Sequence, residues 1–217
     1  MSYILLFFVS LTICSESLEY KVKYNNIKAG SALFNEQILS RDSINYKQIS
    51  FSVKSSKIVD IFYKLRTEVS MIVDTNEYYI YDLNKNLKEG KNIEKSYSII
   101  DYDNKIISYD NKNIIFNGEK VYSILSLIYF LRNQDLGLNQ EYFINIYNNG
   151  VIKPAIAQVI EKYNHTQNII YSIIRVKSTN NNQNHMTLVI SESNNIKIPI
   201  QFELYTKNGV MELSIDD

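Results

Sequence analysis

The chain reads as a mainly β protein, an antiparallel meander of about 12 strands curled into a barrel or half-barrel with one helix at about 119–133. Three observations predict it. Side chains alternate between apolar and polar through most of the sequence, Asn-Gly corners separate the alternating runs, and a single segment switches to a helical period.

The alternation starts at Tyr20, Val22 and Tyr24, which interleave with Glu19, Lys21 and Lys23. It is cleanest from Tyr63 onward. There Leu65, Thr67, Val69, Met71 and Val73 share one face, Lys64, Arg66, Glu68, Ser70 and Asp74 take the other, and only Ile72 breaks the polar side. Successive side chains of a strand point to opposite faces, so this is a strand with one buried and one wet face. Further strand-like runs are 31–36, 46–54, 77–83, 96–101, 105–109 and 113–116, then 142–147, 151–163, 168–177, 186–191, 199–205 and 210–215. Val, Ile, Tyr, Phe and Thr dominate them, as half-buried pleated surfaces prefer.

Asn117-Gly118, Asn149-Gly150 and Asn208-Gly209 supply the strongest corners, because both residue types accept positive φ. Asp103-Asn104 and Asp110-Asn111 are weaker turns of the same kind. Connections this short join antiparallel neighbours, so the sheet runs in sequence order. Residues 178–184 (STNNNQN) read as a polar loop, and Pro199 opens its run, where a missing N–H is tolerated. A sheet this large cannot stay flat, because strand twist makes it curl.

The exception to the β rhythm is 121–133, VYSILSLIYFLRN. Val121, Ile124, Leu125, Ile128 and Leu131 recur at helical spacing, and Leu127 and Phe130 widen the stripe until most sides are apolar. Asn117 or Gly118 would start the helix, and Gly137 follows its end. The helix is expected to plug or flank the curled sheet.

At the N-terminus, 3–13 (YILLFFVSLTI) is an apolar run with the length of a signal-peptide core and too short to span a bilayer. Ser15 and Ser17 suit a cut after Ser17, which would make 1–17 a leader and 18–217 one β-rich domain of a periplasmic or otherwise exported protein. A lipid anchor on Cys14 is the alternative. No later run is long enough for a transmembrane helix. With a single cysteine, no internal disulfide forms.

Lys and Arg total 23, as do Asp and Glu, and the charges are interspersed along the chain. That argues against a nucleic-acid partner and against a strongly anionic surface as target. His165 and His185 sit in polar turns without a metal ligand at useful spacing. No serine stands in a nucleophile elbow, and the glycines are too scattered for a phosphate loop. Asn164-His165-Thr166 matches a glycosylation acceptor and is read as chance. The expectation is therefore no catalytic residue, no cofactor, no metal and no enzyme.

One constellation has two readings. Ser123, Ser126, Tyr129 and Arg132 repeat every third residue and fall along one slowly drifting helix face. They could line a ligand cavity. Alternatively they are structural, with serines bonding locally, Tyr129 buried, and Arg132 paired near the helix C-terminus. Arg66, Ser126, Tyr129 and Arg132 are the candidate ligand-facing residues.

Several segments together resemble a known family. They are 20–24 (YKVKY) with 27–30 (IKAG), 63–66 (YKLR), 126–132 (SLIYFLR), and the close Ile198-Pro199-Ile200 with Lys207-Asn208-Gly209. In this order they resemble the DUF3108 group of bacterial exported proteins, over nearly all of the mature chain. The group often carries an acid near the helix start where this chain has Ser123, and the Asn-rich loop is enlarged here. The resemblance implies an envelope location and a barrel-like fold, and it supplies no catalytic residues. Two functions follow as expectations: a carrier of a lipid or glycan, or an envelope assembly protein with a filled interior that meets a protein partner.

Overall fold

The computed structural model of the chain describes residues 16–41, 44–60, 64–179, 181–207 and 209–215, the side chains of 41, 44 and 181–184 excepted. The expected leader up to residue 15 with Cys14, Tyr63 at the head of the cleanest alternating run, and Asn208 of the last Asn-Gly corner lie outside the described residues.

Two meanders fuse into one sheet. The first is β1 (Glu16–Tyr24), β2 (Ile27–Arg41), β3 (Ile44–Ser55), β4 (Leu65–Val73), β5 (Ile80–Glu89), β6 (Asn92–Asp101), β7 (Ile106–Tyr109) and β8 (Lys112–Ile115). The second is β9 (Val121–Tyr122), β10 (Glu141–Asn148), β11 (Val151–Thr166), β12 (Ile169–Ser178), β13 (Asn181–Ser193), β14 (Ile196–Thr206) and β15 (Gly209–Ser214). β1 and β15 pair antiparallel and join the halves, which leaves β8 and β9 as the two edges. α1 (Lys57–Asp60) links β3 to β4, and α2 (Ile124–Arg132) links β9 to β10.

The curled sheet is fastened along its seam by side chains. The Tyr147 hydroxyl donates to Ser98 Oγ at 2.9 Å, and Asn149 Nδ2 donates to Glu94 Oε1 at 3.0 Å. The Lys85 ammonium reaches Asn149 Oδ1 at 3.0 Å. Gly150 (φ 77°) turns the β10–β11 corner so close to this seam that a Cβ would come within 3.0 Å of the Tyr109 ring.

The mainly β, curled-meander expectation holds, with corrections of detail. There are 15 strands among the described residues, not about 12. The stretch 84–95 is polar on both faces and carries no strand signal, yet β5 ends and β6 begins within it. α2 is shorter than the expected 119–133. Val121 and Tyr122 are held in β9, which pairs in parallel with β10 across the helix crossover. Ser123 rather than Asn117 or Gly118 caps the helix, and Asn117-Gly118 is no hairpin corner but part of the link between the sheet's two edges. The backbone of 181–184 is strand, not loop. Two tight corners carry Asn-Asn instead of Asn-Gly: Asn25-Asn26 (φ 47° and 66°) and Asn194-Asn195 (φ 50° and 64°). Asn tolerates the left-handed conformation through local hydrogen bonding of its short side chain.

In an antiparallel meander, successive connections alternate between the two ends of the strands. One end carries α2 and the connections 74–79, 102–105, 116–120, 133–140, 167–168 and 194–195. The other carries α1, between β3 and β4, and the corners at 25–26, 90–91, 110–111 and 149–150, with the β12–β13 and β14–β15 connections. They are called here the helix end and the turn end.

The helix end is filled. Leu127, Ile128 and Leu131 of α2 are buried against the concave face, and Tyr129 stacks between Phe34 and Tyr78 with ring centroids 5.1 and 5.5 Å away. Phe51 meets Phe34 edge-on, as Phe202 meets Tyr20. Large rings in contact supply both buried area and favourable edge geometry. Around the cleft at the turn end, Ala29, Gly30, Val53 and Ser55 stand on the concave face where the helix end has aromatics, and Tyr24 is the one described ring that lines it.

The ends also differ in charge. Within three positions of the turn-end connections lie Lys23 and Lys28, then Lys54, Lys57, Lys64 and Arg66, then Lys88 and Lys91. Lys112, Lys153, Lys177 and Lys207 complete the set. Only Asp60, Glu89, Glu94 and Asp110 oppose them, so twelve cations less four anions leaves a formal +8. By the same rule the described helix-end connections carry nine anions, Asp74 to Glu192, against four cations, Lys105, Lys120, Arg132 and Lys197, a formal −5. A zero net charge thus conceals a molecule polarised from end to end.

Candidate functional site

The concave face at the turn end is hollow. A cleft of about 630 Å³ opens there between β14, β15, β1, β2, β3 and β4. Its walls are Val22, Ala29, Val53, Leu65, Leu204 and Met211, and Val59 of α1 closes one side. Lys54, Ser55, Glu89 and Thr206 put polar atoms around it. The volume lies in the range of small-molecule sites, and the walls are apolar as such sites usually are.

Three local features shape it. Ala29 and Gly30 leave room that larger residues would occupy. A Cβ on Gly30 would overlap the Lys54 carbonyl oxygen, so β2 and β3 approach there only because position 30 has no side chain. A bulge at Val22/Lys23 shifts the β1–β2 register beside it and bends the strand. Finally, α1 is fastened beside the cleft. Arg66 Nη1 donates to Asp60 Oδ1 at 3.0 Å, to Ser55 Oγ at 3.0 Å and to the Leu65 carbonyl at 2.6 Å. The Ser55 hydroxyl donates to Asp60 and accepts the Leu65 N–H at 2.8 Å. The guanidinium first, then the serine, hold the Asp60 carboxyl below its ordinary pKa.

The structure separates the four sequence-derived candidates. Arg66 is at the turn end, and its guanidinium secures α1 to the sheet. Ser126, Tyr129 and Arg132 are at the opposite end, and none of the three lines the cleft. Ser123 and Ser126 form a capping box: each hydroxyl accepts the other's backbone N–H, at 3.0 and 3.1 Å. Tyr129 is 1% exposed within its ring stack, burial pushes its phenol above the ordinary pKa, and its hydroxyl has no hydrogen-bond partner among the described residues. Arg132 pairs with Glu16 of β1. Burial disfavours its charge, but the Glu16 carboxylate more than offsets that and raises the pKa. The helix strip therefore follows the structural reading.

The cleft residues themselves carried no sequence signal of function. Val22, Val53 and Leu65 look like any inward strand positions, and the small Ala29-Gly30 pair is the one local feature that marks the cleft wall. A second hollow of about 460 Å³ lies on the outer face, among Ser50, Ser52, Ser70, Asn84 and Asn86. It is a polar trough on the wet side of the sheet. His165 and His185 stack on Tyr171 and Tyr205 at 4.5 and 4.2 Å, and neither histidine lines the cleft. Among the described residues, no three His, Cys, Asp or Glu side chains are grouped to hold a metal ion. No described helix is long and apolar enough to cross a membrane.

No family model matches the chain, and no curated protein is similar to it. Among solved structures, it is similar to the crystal structure of a β-barrel-like protein of the domain of unknown function DUF1849 from Brucella abortus. The two share 8% identity over 93% of this chain and 97% of the other, with a TM-score of 0.59. At that identity the likeness is one of fold.

Proposed function

We propose that the protein is an exported, non-enzymatic carrier whose turn-end cleft holds one apolar chain, such as the acyl tail of a lipid. The observation that carries the reading is the apolar cleft of about 630 Å³ in a lumen otherwise filled by α2 and aromatic rings. A glycan would leave its hydroxyls facing Val53, Leu65, Leu204 and Met211 without partners, which is unfavourable. An acyl chain buries against them at about 0.8 kcal/mol per CH₂. The DUF3108-like motifs and the apolar run 3–13 support the assignment to that exported group and to the cell envelope.

The strand limits refine the export reading. Glu16 and Ser17 belong to β1, and Glu16 holds Arg132. A cut after Ser17 would strip that partner from a largely buried arginine, so the mature chain is proposed to begin upstream of Glu16, which a lipid anchor at Cys14 also allows. Sequencing the mature N-terminus from the envelope fraction tests this: a first residue at Leu18 overturns it.

Native mass spectrometry of protein purified without detergent tests the carrier. The expected result is a stoichiometric lipid adduct that Val59→Trp or Leu204→Trp abolishes while the fold melts normally. A bare mass together with no uptake of a fluorescent fatty acid overturns it and favours the second reading, an assembly protein, for which the filled helix end speaks.

A further inference from the structure

We infer that the turn end is a docking face for an anionic lipid bilayer, through which the cleft exchanges its cargo; this rests on the carrier reading for its purpose but not for its test. Three independent features coincide on this face.

The first is charge. The seven connections at this end carry the formal +8 described above, and Lys28, Lys57, Lys64, Lys91, Lys153 and Lys207 among them are exposed. Each lysine near an anionic leaflet contributes about 1 kcal/mol, so a face of this kind binds strongly at low salt and weakly at high salt. The second is exposed apolar surface between those lysines. Ile27 is 70% exposed, Ile58 75%, Ile93 62% and Val151 51%, each at a turn-end corner or on α1. Ile58 lies between Lys57 and Val59, so consecutive residues of α1 offer a cation, an apolar side chain to solvent and a wall of the cleft. The third is the cleft, whose lining comes from the same corners.

A nucleic acid would also be drawn by the charge. Isoleucines in solvent do not help to grip phosphates, whereas the boundary of headgroups and acyl chains accepts them and screens them from water. The opposite end is negatively charged and would be repelled, so the polarity also orients the molecule on the surface. Cargo then passes between bilayer and cleft without its chain crossing bulk water.

The test is co-sedimentation with vesicles of phosphatidylcholine alone or mixed with phosphatidylglycerol, at low and high salt. The expected result is binding to the anionic vesicles only, lost at high salt. Lys57→Glu with Lys91→Glu should weaken it by more than about twenty-fivefold, since each lysine lost is worth about a factor of five and each glutamate adds repulsion. Lys105→Glu with Lys120→Glu at the helix end should not. Ile58→Trp should shift its emission to the blue on the vesicles. Equal loss from both double variants, or no blue shift on bound vesicles, overturns the docking face. So does binding to oligonucleotides but not to vesicles. Vesicle binding by a protein whose cleft proves empty keeps the docking face and removes the carrier.

Discussion

The helix end and the turn end share the same strands, yet they are opposite in packing and in charge. At the helix end Phe34, Tyr78 and Tyr129 form a stack, and α2 fills what is left. At the turn end the same strands continue with Ala29, Gly30, Val53 and Ser55, and a cleft takes the place of the rings. The difference shows how a curled sheet divides its labour. One end supplies the buried area that stabilises the fold, which frees the other to stay open.

The widest test of this division is a matched pair of truncations. Leu127 is fully buried in α2, so Leu127→Ala should destabilise the protein by about 3 kcal/mol, as cavity-forming core substitutions do. Leu65 lines the cleft and is only partly buried, so Leu65→Ala should cost about 1 kcal/mol because it merely enlarges an existing hollow. Equal costs in urea unfolding would mean that the cleft is collapsed in solution.

The Arg132–Glu16 pair sharpens the helix-end side. Arg132 tethers the last turn of α2 to the first residue of β1, and its side chain is 19% exposed. Arg132→Ala should cost about 1–2 kcal/mol, between the values for exposed and for buried pairs, and should leave fatty-acid uptake unchanged. A change in uptake at constant stability would return this arginine to the ligand site.

Smaller again is the helix cap. Ser123→Ala removes half of the capping box and should lower stability by about 1 kcal/mol. Tyr129→Phe acts in the other direction. It removes a buried hydroxyl without a described partner while keeping the stacked ring, so a rise of about 1 kcal/mol is expected in thermal melting. A fall would show that the hydroxyl is satisfied in solution.

Particular residues explain what the sequence disclosed. The period-two runs and Asn149-Gly150 mark strands and a corner because those signals act over a few residues. Ile124, Ile128 and Leu131 marked α2 by spacing, although Val121 and Tyr122 share the spacing and belong to β9, where the parallel pairing with β10 prevails over helical period. The cleft was not legible, because a wall residue such as Val53 and a core residue such as Ile49 sit four positions apart on one face of one strand. The charge polarity was hidden for a topological reason. A meander sends every second connection to the same end, so basic corners such as Lys88-to-Lys91 and acidic ones such as Asp101-to-Asp103 alternate along the chain and read as a mixture. Folding sorts them.

The finest comparison is in pH. The Arg66 guanidinium holds Asp60 below its ordinary pKa, so the folded state keeps this carboxyl ionised where the unfolded chain begins to protonate it. The contribution is present above the unfolded value of about 3.9 and is lost as pH falls through the lower folded value. No change is expected between pH 5 and pH 8. On further acidification α1, which has no buried residue of its own, should loosen from the cleft before α2 loosens from the helix end. Amide exchange of 57–60 against 124–132, followed down to about pH 3, checks the order. Release of bound fatty acid centred near pH 6 would instead implicate a histidine, and would remove the Arg66–Asp60 clasp from the account of how the cleft stays closed on its side.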